Sequence, residues 1–305
     1  MRGPRAATCM DFARLQSLPA LGVGLLLNPD TLASPEAESA YQYLEVIPDR
    51  FWLDAGPGAG SRHRELGPSV AALDVLAARV PIVCHSIGLS IGSASLFDIG
   101  HLEQIARWQR RYGFAWHSDH LAFSRLAEHG VEVNAAVTLP LTRDDASLEM
   151  LVERIAAIQT QVNGPFLLEN NVYFVIPPDE PYSEAAFLNE MCRRSGCGLL
   201  LDLHNLHVNA TNHGFAAEAL LDELDLRQVV EIHIAGGDEL AGIYTDSHAG
   251  PVADEVWPLL ERTLRAAPWV RGVTFEYHES YADLLAGGGV ARELRRARRI
   301  WERCC

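Results

Sequence analysis

The sequence predicts an α/β chain folded as a (β/α)8 TIM barrel, and three observations carry that expectation. Eight short runs rich in apolar, β-branched or aromatic residues recur along the 305 residues. Amphipathic segments separate most of them, which is the pattern of βαβ units and a parallel sheet. No glycine-rich phosphate loop follows the first run, whereas an open doubly wound sheet would ordinarily carry one.

In order, the runs are Leu21–Leu27, Tyr43–Ile47, Ile82–Ser86, Phe114–His120, Phe166–Asn170, Gly198–His204, Val229–Ile234 and Gly272–His278. Helical periodicity covers about Gly67–Arg79, Ile99–Tyr112, Arg143–Val162, Ser183–Arg194, Ala216–Asp225 and Asp254–Ala266, with a basic helix near 290–303. The first connection is the weakest, offering only Ala33–Ala40 as a short helix. Ala55–Gly60 and Gly236–Gly250 read as long loops on the face where barrel active sites are built. No composition shift or linker divides the chain, so 1–305 is expected to be a single barrel domain.

Bulk properties narrow the function. A formal charge of −15, from 25 Lys and Arg against 40 Asp and Glu, argues against nucleic-acid binding, which needs a basic footprint. No apolar stretch approaches a membrane span, and Met1–Met10 lacks the apolar segment of a secretion signal. A cytoplasmic protein is expected, with its six cysteines reduced rather than bridged. Cys84 lies within an apolar run and reads as core.

The polar residues concentrate at the C-terminal ends of six consecutive runs. These ends carry His85, Ser118 with His120, Glu169 with Asn170, Asp202 with His204 and Asn205, His233, and Glu276 with His278. Side chains on one strand face repeat every two residues, which pairs Ser118 with His120, Asp202 with His204, Glu231 with His233, and Glu276 with His278. Carboxylates inside apolar strands, such as Glu169 and Asp202, cost several kcal/mol unless they are paired or bind a cation. The long loop near 246 adds Asp246 and His248, spaced to chelate one ion together.

The candidate ligand set is therefore His85, His120, Glu169, Asp202, His233, Asp246, His248 and Glu276. Imidazole with carboxylate suits iron, manganese or zinc. His204, Asn205, Ser118, Asn170 and His278 are candidates for further ligation or for orienting ligands. His213, Arg50 and Trp52 are candidates for substrate contact, Trp52 and Arg50 alternatively covering the barrel mouth. His63, His101 and His129 fall in loop or helical stretches and are expected to be solvated.

Several segments carry a resemblance in one order: His85-Ser86-Ile87-Gly88-Leu89-Ser90-Ile91-Gly92-Ser93, Ser118-Asp119-His120-Leu121-Ala122-Phe123-Ser124, and Leu167-Leu168-Glu169-Asn170. Cys197-Gly198-Leu199-Leu200-Leu201-Asp202, Asn212-His213-Gly214-Phe215, Glu231-Ile232-His233-Ile234-Ala235-Gly236 and Asp246-Ser247-His248-Ala249-Gly250-Pro251-Val252 continue it. From Leu21 through Glu276 the chain resembles the multinuclear non-haem iron-dependent oxidases of the MbnB/TglH type, the domain of unknown function 692 family. The resemblance implies a xylose-isomerase-like barrel holding two or three iron ions, with O2 as co-substrate. It implies modification of a cysteine or another residue of a ribosomally made peptide in natural product biosynthesis, with a separate recognition protein presenting the peptide. By motif position, the iron ligands fall on the eight residues above.

The chain departs from the family pattern in places. Asp119 stands where the family usually has Glu, and His204 where it usually has the first Asn of Asp-Val-Asn-Asn. Gly237 replaces the usual histidine after Ala-Gly, and His278 is additional. These departures leave the third metal and the substrate pocket open. A manganese- or zinc-dependent sugar isomerase, epimerase or phosphodiesterase on the same barrel is the alternative reading. A non-enzymatic metal-binding docking protein is another.

Overall fold

Eight parallel strands close into a barrel in the computed structural model, which describes residues 12–28, 38–129, 131–176, 180–285 and 288–305. They are β1 Gly22–Leu26, β2 Tyr43–Val46, β3 Ile82–Ser86, β4 His117–His120, β5 Phe166–Glu169, β6 Gly198–Asp202, β7 Val229–Ile234 and β8 Gly272–Phe275. Each pairs with its sequence neighbour, and β8 closes on β1. Every predicted run contains one strand. Buried on both faces, most strands show continuous apolar runs rather than alternation, the polar β4 being the exception.

Among the described residues, eight helices besides a short one at Phe12–Gln16 accompany the strands: α1 Gly67–Ala77, α2 Ile99–Tyr112, α3 Asp145–Val162, α4 Glu184–Ser195, α5 Leu203–His213, α6 Ala217–Glu223, α7 Val256–Ala266 and α8 Gly289–Cys304. Side chains of Asp98, Asp144 and Ser183 accept amide hydrogens in the first turns of α2, α3 and α4. The predicted Ala33–Ala40 helix falls largely on residues outside those described. Two features differ from the sequence reading. The sixth run does not continue as strand to His204, because α5 begins at Leu203 directly after β6. Three hairpins also project beyond the strand ends: Trp52–Asp54 with His63–Glu65, Phe123–Glu128 with Val131–Leu139, and Glu239–Leu240 with Ile243–Tyr244. The Ala55–Gly60 loop lies in the turn of the first of these.

The barrel interior has an apolar floor and a polar upper layer. Tyr43, Val83, Trp116, Leu167, Leu200 and Val230 form the floor, joined by Leu15 of a short N-terminal helix. Gly24 and Gly272 make room for Tyr43, since a Cβ at Gly272 would come within 2.9 Å of its ring. Two residues further along β2, β3, β5 and β6 stand Glu45, His85, Glu169 and Asp202. Period two thus lifts each strand from floor to polar layer in one step. Among the described residues, no helix is long and apolar enough to cross a membrane.

Candidate metal centre

Each strand end positions its polar group through backbone pairing, and β5 supplies the central one. The Glu169 carboxylate belongs to two groups of donor atoms, and within each group all donors lie within 4.8 Å of one another. The first group is His85, His120 and Glu169; the second is Glu169, Asp202, His233 and Glu276. Glu169 Oε2 lies 3.5 Å from His85 Nε2 and 3.7 Å from His120 Nε2. Glu169 Oε1 is 3.9 Å from His233 Nδ1, which in turn is 3.1 Å from Glu276 Oε2.

A third set flanks these at the barrel mouth. His248 Nε2 is 2.9 Å from Asp246 Oδ1 and 3.8 Å from Glu276 Oε2. His204, on the first turn of α5, reaches to 3.7 Å from the same Asp246 oxygen. Its ring is fully buried, and neither nitrogen has a hydrogen-bond partner. A Cβ at residue 237 would stand 2.9 Å from His204 Cε1, so Gly237 leaves the space that this imidazole occupies.

Supporting groups hold the donors. His85 Nδ1 pairs with Ser118 Oγ at 2.9 Å, and Ser118 Oγ lies 3.2 Å from the Cys84 carbonyl, to which its hydroxyl donates. Asn205 Nδ2 donates to Glu169 Oε1 at 3.1 Å. The Asn170 amide spans the Asp202 backbone, donating to its carbonyl at 2.9 Å and accepting from its N–H at 2.8 Å. Glu45, unmarked in the sequence reading, is fully buried and holds His233 Nε2 at 2.9 Å, leaving Nδ1 aimed at the cluster. Its signal was present: a carboxylate in the apolar run Tyr43–Ile47, in phase with Tyr43. Glu231 lies below the cluster, bonded by the Tyr43 hydroxyl, the Trp116 indole and the Thr274 hydroxyl.

The other sequence candidates belong to none of the donor groups. The backbone N–H of His278 donates to the His248 carbonyl at 3.0 Å, while its ring accepts from the Ser280 N–H. Arg50 donates to Asn28 and pairs with Glu279. His213 stacks on Tyr173 and bonds the Tyr173 carbonyl at 2.7 Å. Trp52 is buried against His63, His101 and Trp108. Of the three histidines expected to be solvated, His129 is exposed. The expectation fails for the other two, because Trp52 covers them: the side chains of His63 and His101 are only 3% and 4% exposed.

The donor set fits a metal. Glu169 Oε2, Asp202 Oδ2, His120 Nδ1, His233 Nδ1 and both His204 nitrogens are buried without a hydrogen-bond partner. Polar atoms are rarely left in that condition unless something else binds them. Burial pushes Glu169 well above the usual carboxylate range, Asp202 up to about 6 and Glu45 up to about 8. Burial also holds His85 well below the imidazole range and His204 down at about 4. Burial would depress His248 too, but the carboxylates of Asp246 and Glu276 outweigh it and push it up to about 10. Desolvated carboxylates, beside imidazoles held neutral at His85 and His204 and protonated at His248, are what a cation relieves by taking the place of protons.

Comparison with known proteins agrees with this geometry. The family described as "RiPP precursor modification enzyme MbnB/TglH/ChrH" matches residues 21–302, and the chain belongs to it. A UPF0276 protein of Rhizobium meliloti (strain 1021) is 40% identical over 200 residues, 64% of this chain and 63% of its own length. The chain thus spans less than two thirds of that relative. D-psicose 3-epimerase from Clostridium cellulolyticum H10 superposes with a TM-score of 0.56 at 10% identity, covering 93% of this chain and 99% of its own. A xylose isomerase-like TIM barrel protein from Mycobacterium smegmatis gives 0.50 at 13% identity, covering 94% and 99%. At such identities these likenesses speak for the fold alone, a xylose-isomerase-like TIM barrel.

Proposed function

We propose that this member of the MbnB/TglH/ChrH family is an O2-dependent oxidoreductase using two or three iron ions to modify a residue of a ribosomally made peptide. The supporting observation is the Glu169 carboxylate shared between two donor groups, the arrangement of a bridged pair of metals. His85, His120 and Glu169 would hold one iron; Glu169, Asp202, His233 and Glu276 would hold another. Asp246 and His248, with His204, would hold a third. Bound ferrous iron supplies reduction of O2 and activation of a coordinated thiolate or carboxylate.

The chain's own residues prepare that chemistry. Ser118 fixes the His85 ring so that Nε2 faces Glu169. Glu45 does the same for His233 from the opposite side, as carboxylates behind ligating imidazoles do. Asn205 and Asn170 hold the Glu169 and Asp202 carboxylates in register. The Asp246–His248 loop, tied to β8 through the His278 amide, borders the entry from solvent. A partner protein that presents the peptide, a cytoplasmic setting and the absence of nucleic-acid partners belong to the same reading.

The test is anaerobic preparation with ferrous iron, elemental and Mössbauer analysis, and O2 uptake with a precursor peptide encoded beside the gene. Bound iron in two or more environments and peptide-dependent O2 consumption are expected. Zinc or manganese in the native protein, with turnover unaffected by removing O2, would overturn the oxidase in favour of an isomerase or epimerase.

A further inference from the structure

A second cluster of metal-ligating side chains stands apart from the strand-end cluster and shares no residue with it. In the first hairpin, Asp54 and His63 are direct cross-strand partners. His101 sits on the first turn of α2, its backbone N–H donating to Asp98. Donor atoms of Asp54, His63 and His101 lie within 4.8 Å of one another. Asp49, from the turn after β2, approaches from the other side, its Oδ1 3.1 Å from His101 Nε2.

Three observations point to a ligand here. His63 Nε2 is buried without a hydrogen-bond partner, on a side chain 3% exposed, and lies 3.8 Å from Asp54 Oδ2. The 3.8 Å between His63 Nε2 and Asp54 Oδ2 is close to the separation of about 3.4 Å that tetrahedral zinc imposes on nitrogen and oxygen donors. Residue 88 must be glycine for the cluster to form. A Cβ there would collide with Asp49 Oδ1 and stand 2.6 Å from His101 Cε1. A cavity of about 440 Å³, lined by Asp49, Asp54, Gly88 and His101 among others, gives access.

The local charge favours a cation. Asp49, Asp54, Asp98 and Glu132 face Arg62 and Arg125, which already pair with Asp54, Asp98 and Glu132. Arg107 is the next cation acting on His63 and does not cancel the excess of carboxylates. Burial holds His63 below the usual imidazole range, keeping its lone pair free. Asp54 Oδ1 accepts from Arg62 and from the Gly56 N–H, whereas Oδ2 accepts from Arg62 alone and keeps a lone pair for a metal.

We propose that His63, His101 and Asp54 form a separate divalent-cation site of the zinc class that fastens the hairpin Trp52–Glu65 to α2 at the barrel mouth, with Asp49 holding the His101 ring in place. Three protein donors leave the fourth tetrahedral position to solvent from the adjoining cavity.

The test uses the full chain with the strand-end cluster disabled by Glu169→Gln, His233→Ala and Asp246→Ala. Zn2+ and Co2+ serve as probes, read by elemental analysis and by the visible Co2+ spectrum. One bound ion per chain with a tetrahedral Co2+ spectrum is expected, lost on adding His63→Gln or His101→Gln while circular dichroism is unchanged. Zn2+ is also expected to raise the thermal midpoint in the disabled background but not with His63→Gln. No bound ion, or an ion that survives both histidine changes, would overturn the site. Should the triple variant fail to fold, the same count is made on the iron-loaded wild type and its His63→Gln variant, where equal zinc content would overturn it. Failure of peptide-dependent O2 uptake would refute the oxidase and leave this count unaffected.

Discussion

Replacing Glu45 by Gln tests whether the carboxylate behind His233 governs the cluster. Both side chains are fully buried, and Glu45 Oε2 receives His233 Nε2 at 2.9 Å, while Nδ1 faces Glu276 at 3.1 Å. Glutamine keeps shape and hydrogen-bonding capacity but removes the charge that makes the imidazole a stronger donor. Changes to such supporting carboxylates weaken metal binding by about 10- to 100-fold. That corresponds to about 1.4 to 2.7 kcal/mol. Without metal, burial pushes Glu45 up to about 8, so glutamine resembles its protonated form near pH 7 and the metal-free fold should tolerate the change. The charge that glutamine lacks is the one Glu45 would carry once a cation sits on His233 Nδ1. The assay is competition between the anaerobic protein and a chromophoric chelator, with denaturant unfolding of the metal-free chain in parallel. Affinity within threefold of wild type, in a folded variant, would refute the assignment of His233 Nδ1 as a donor supported by Glu45.

Two further outcomes follow from the geometry. His117 is buried, and burial lowers it to about 3, against about 6.5 in an unfolded chain. Only the unfolded state takes up its proton between those values, so stability falls as pH drops through that window. Between pH 7 and pH 5 this removes about 2 kcal/mol, and a His117→Gln variant should lose that much less in denaturant titrations at the two pH values. Gly236→Ala would place a Cβ against the Pro251 carbonyl and 2.7 Å from the Ala249 carbonyl. Backbone cannot yield cheaply there, so unfolding should be easier by about 1 to 3 kcal/mol. Metal content should also drop as the Asp246–His248 loop shifts; wild-type stability and metal content together would count against the packing argument.

The barrel was legible because most of its strands are buried on both faces and therefore appear as largely apolar runs. The strand-end donors were legible for the same reason, since a carboxylate such as Glu169 stands out in Phe166-Leu167-Leu168. Glu45 meets that criterion equally but lies mid-run, away from the strand ends where the other donors gather. His204 was placed on a strand because no glycine or proline separates β6 from α5, and asparagine, histidine and threonine in α5 are indifferent helix formers. The burial of His63 and His101 depends on Trp52 folding over them from another element, which no local pattern encodes. The exposed hairpin Phe123–Leu139 has little buried surface to imprint a period on its sequence.

Asp202 ends β6 and caps α5 at once: its Oδ1 accepts the Asn205 N–H at 2.8 Å, while Oδ2 is left without a partner among the donors of the cluster. One carboxylate thus answers to two selective demands that are usually met by different residues. A screen scoring only foldedness would rank Asp202 with the architecture, and a screen scoring only metal content would rank it with the chemistry. Both rankings would be right. Drift that slides α5 by a residue cannot be neutral here, because the cap of the helix and a donor of the candidate cluster belong to the same side chain.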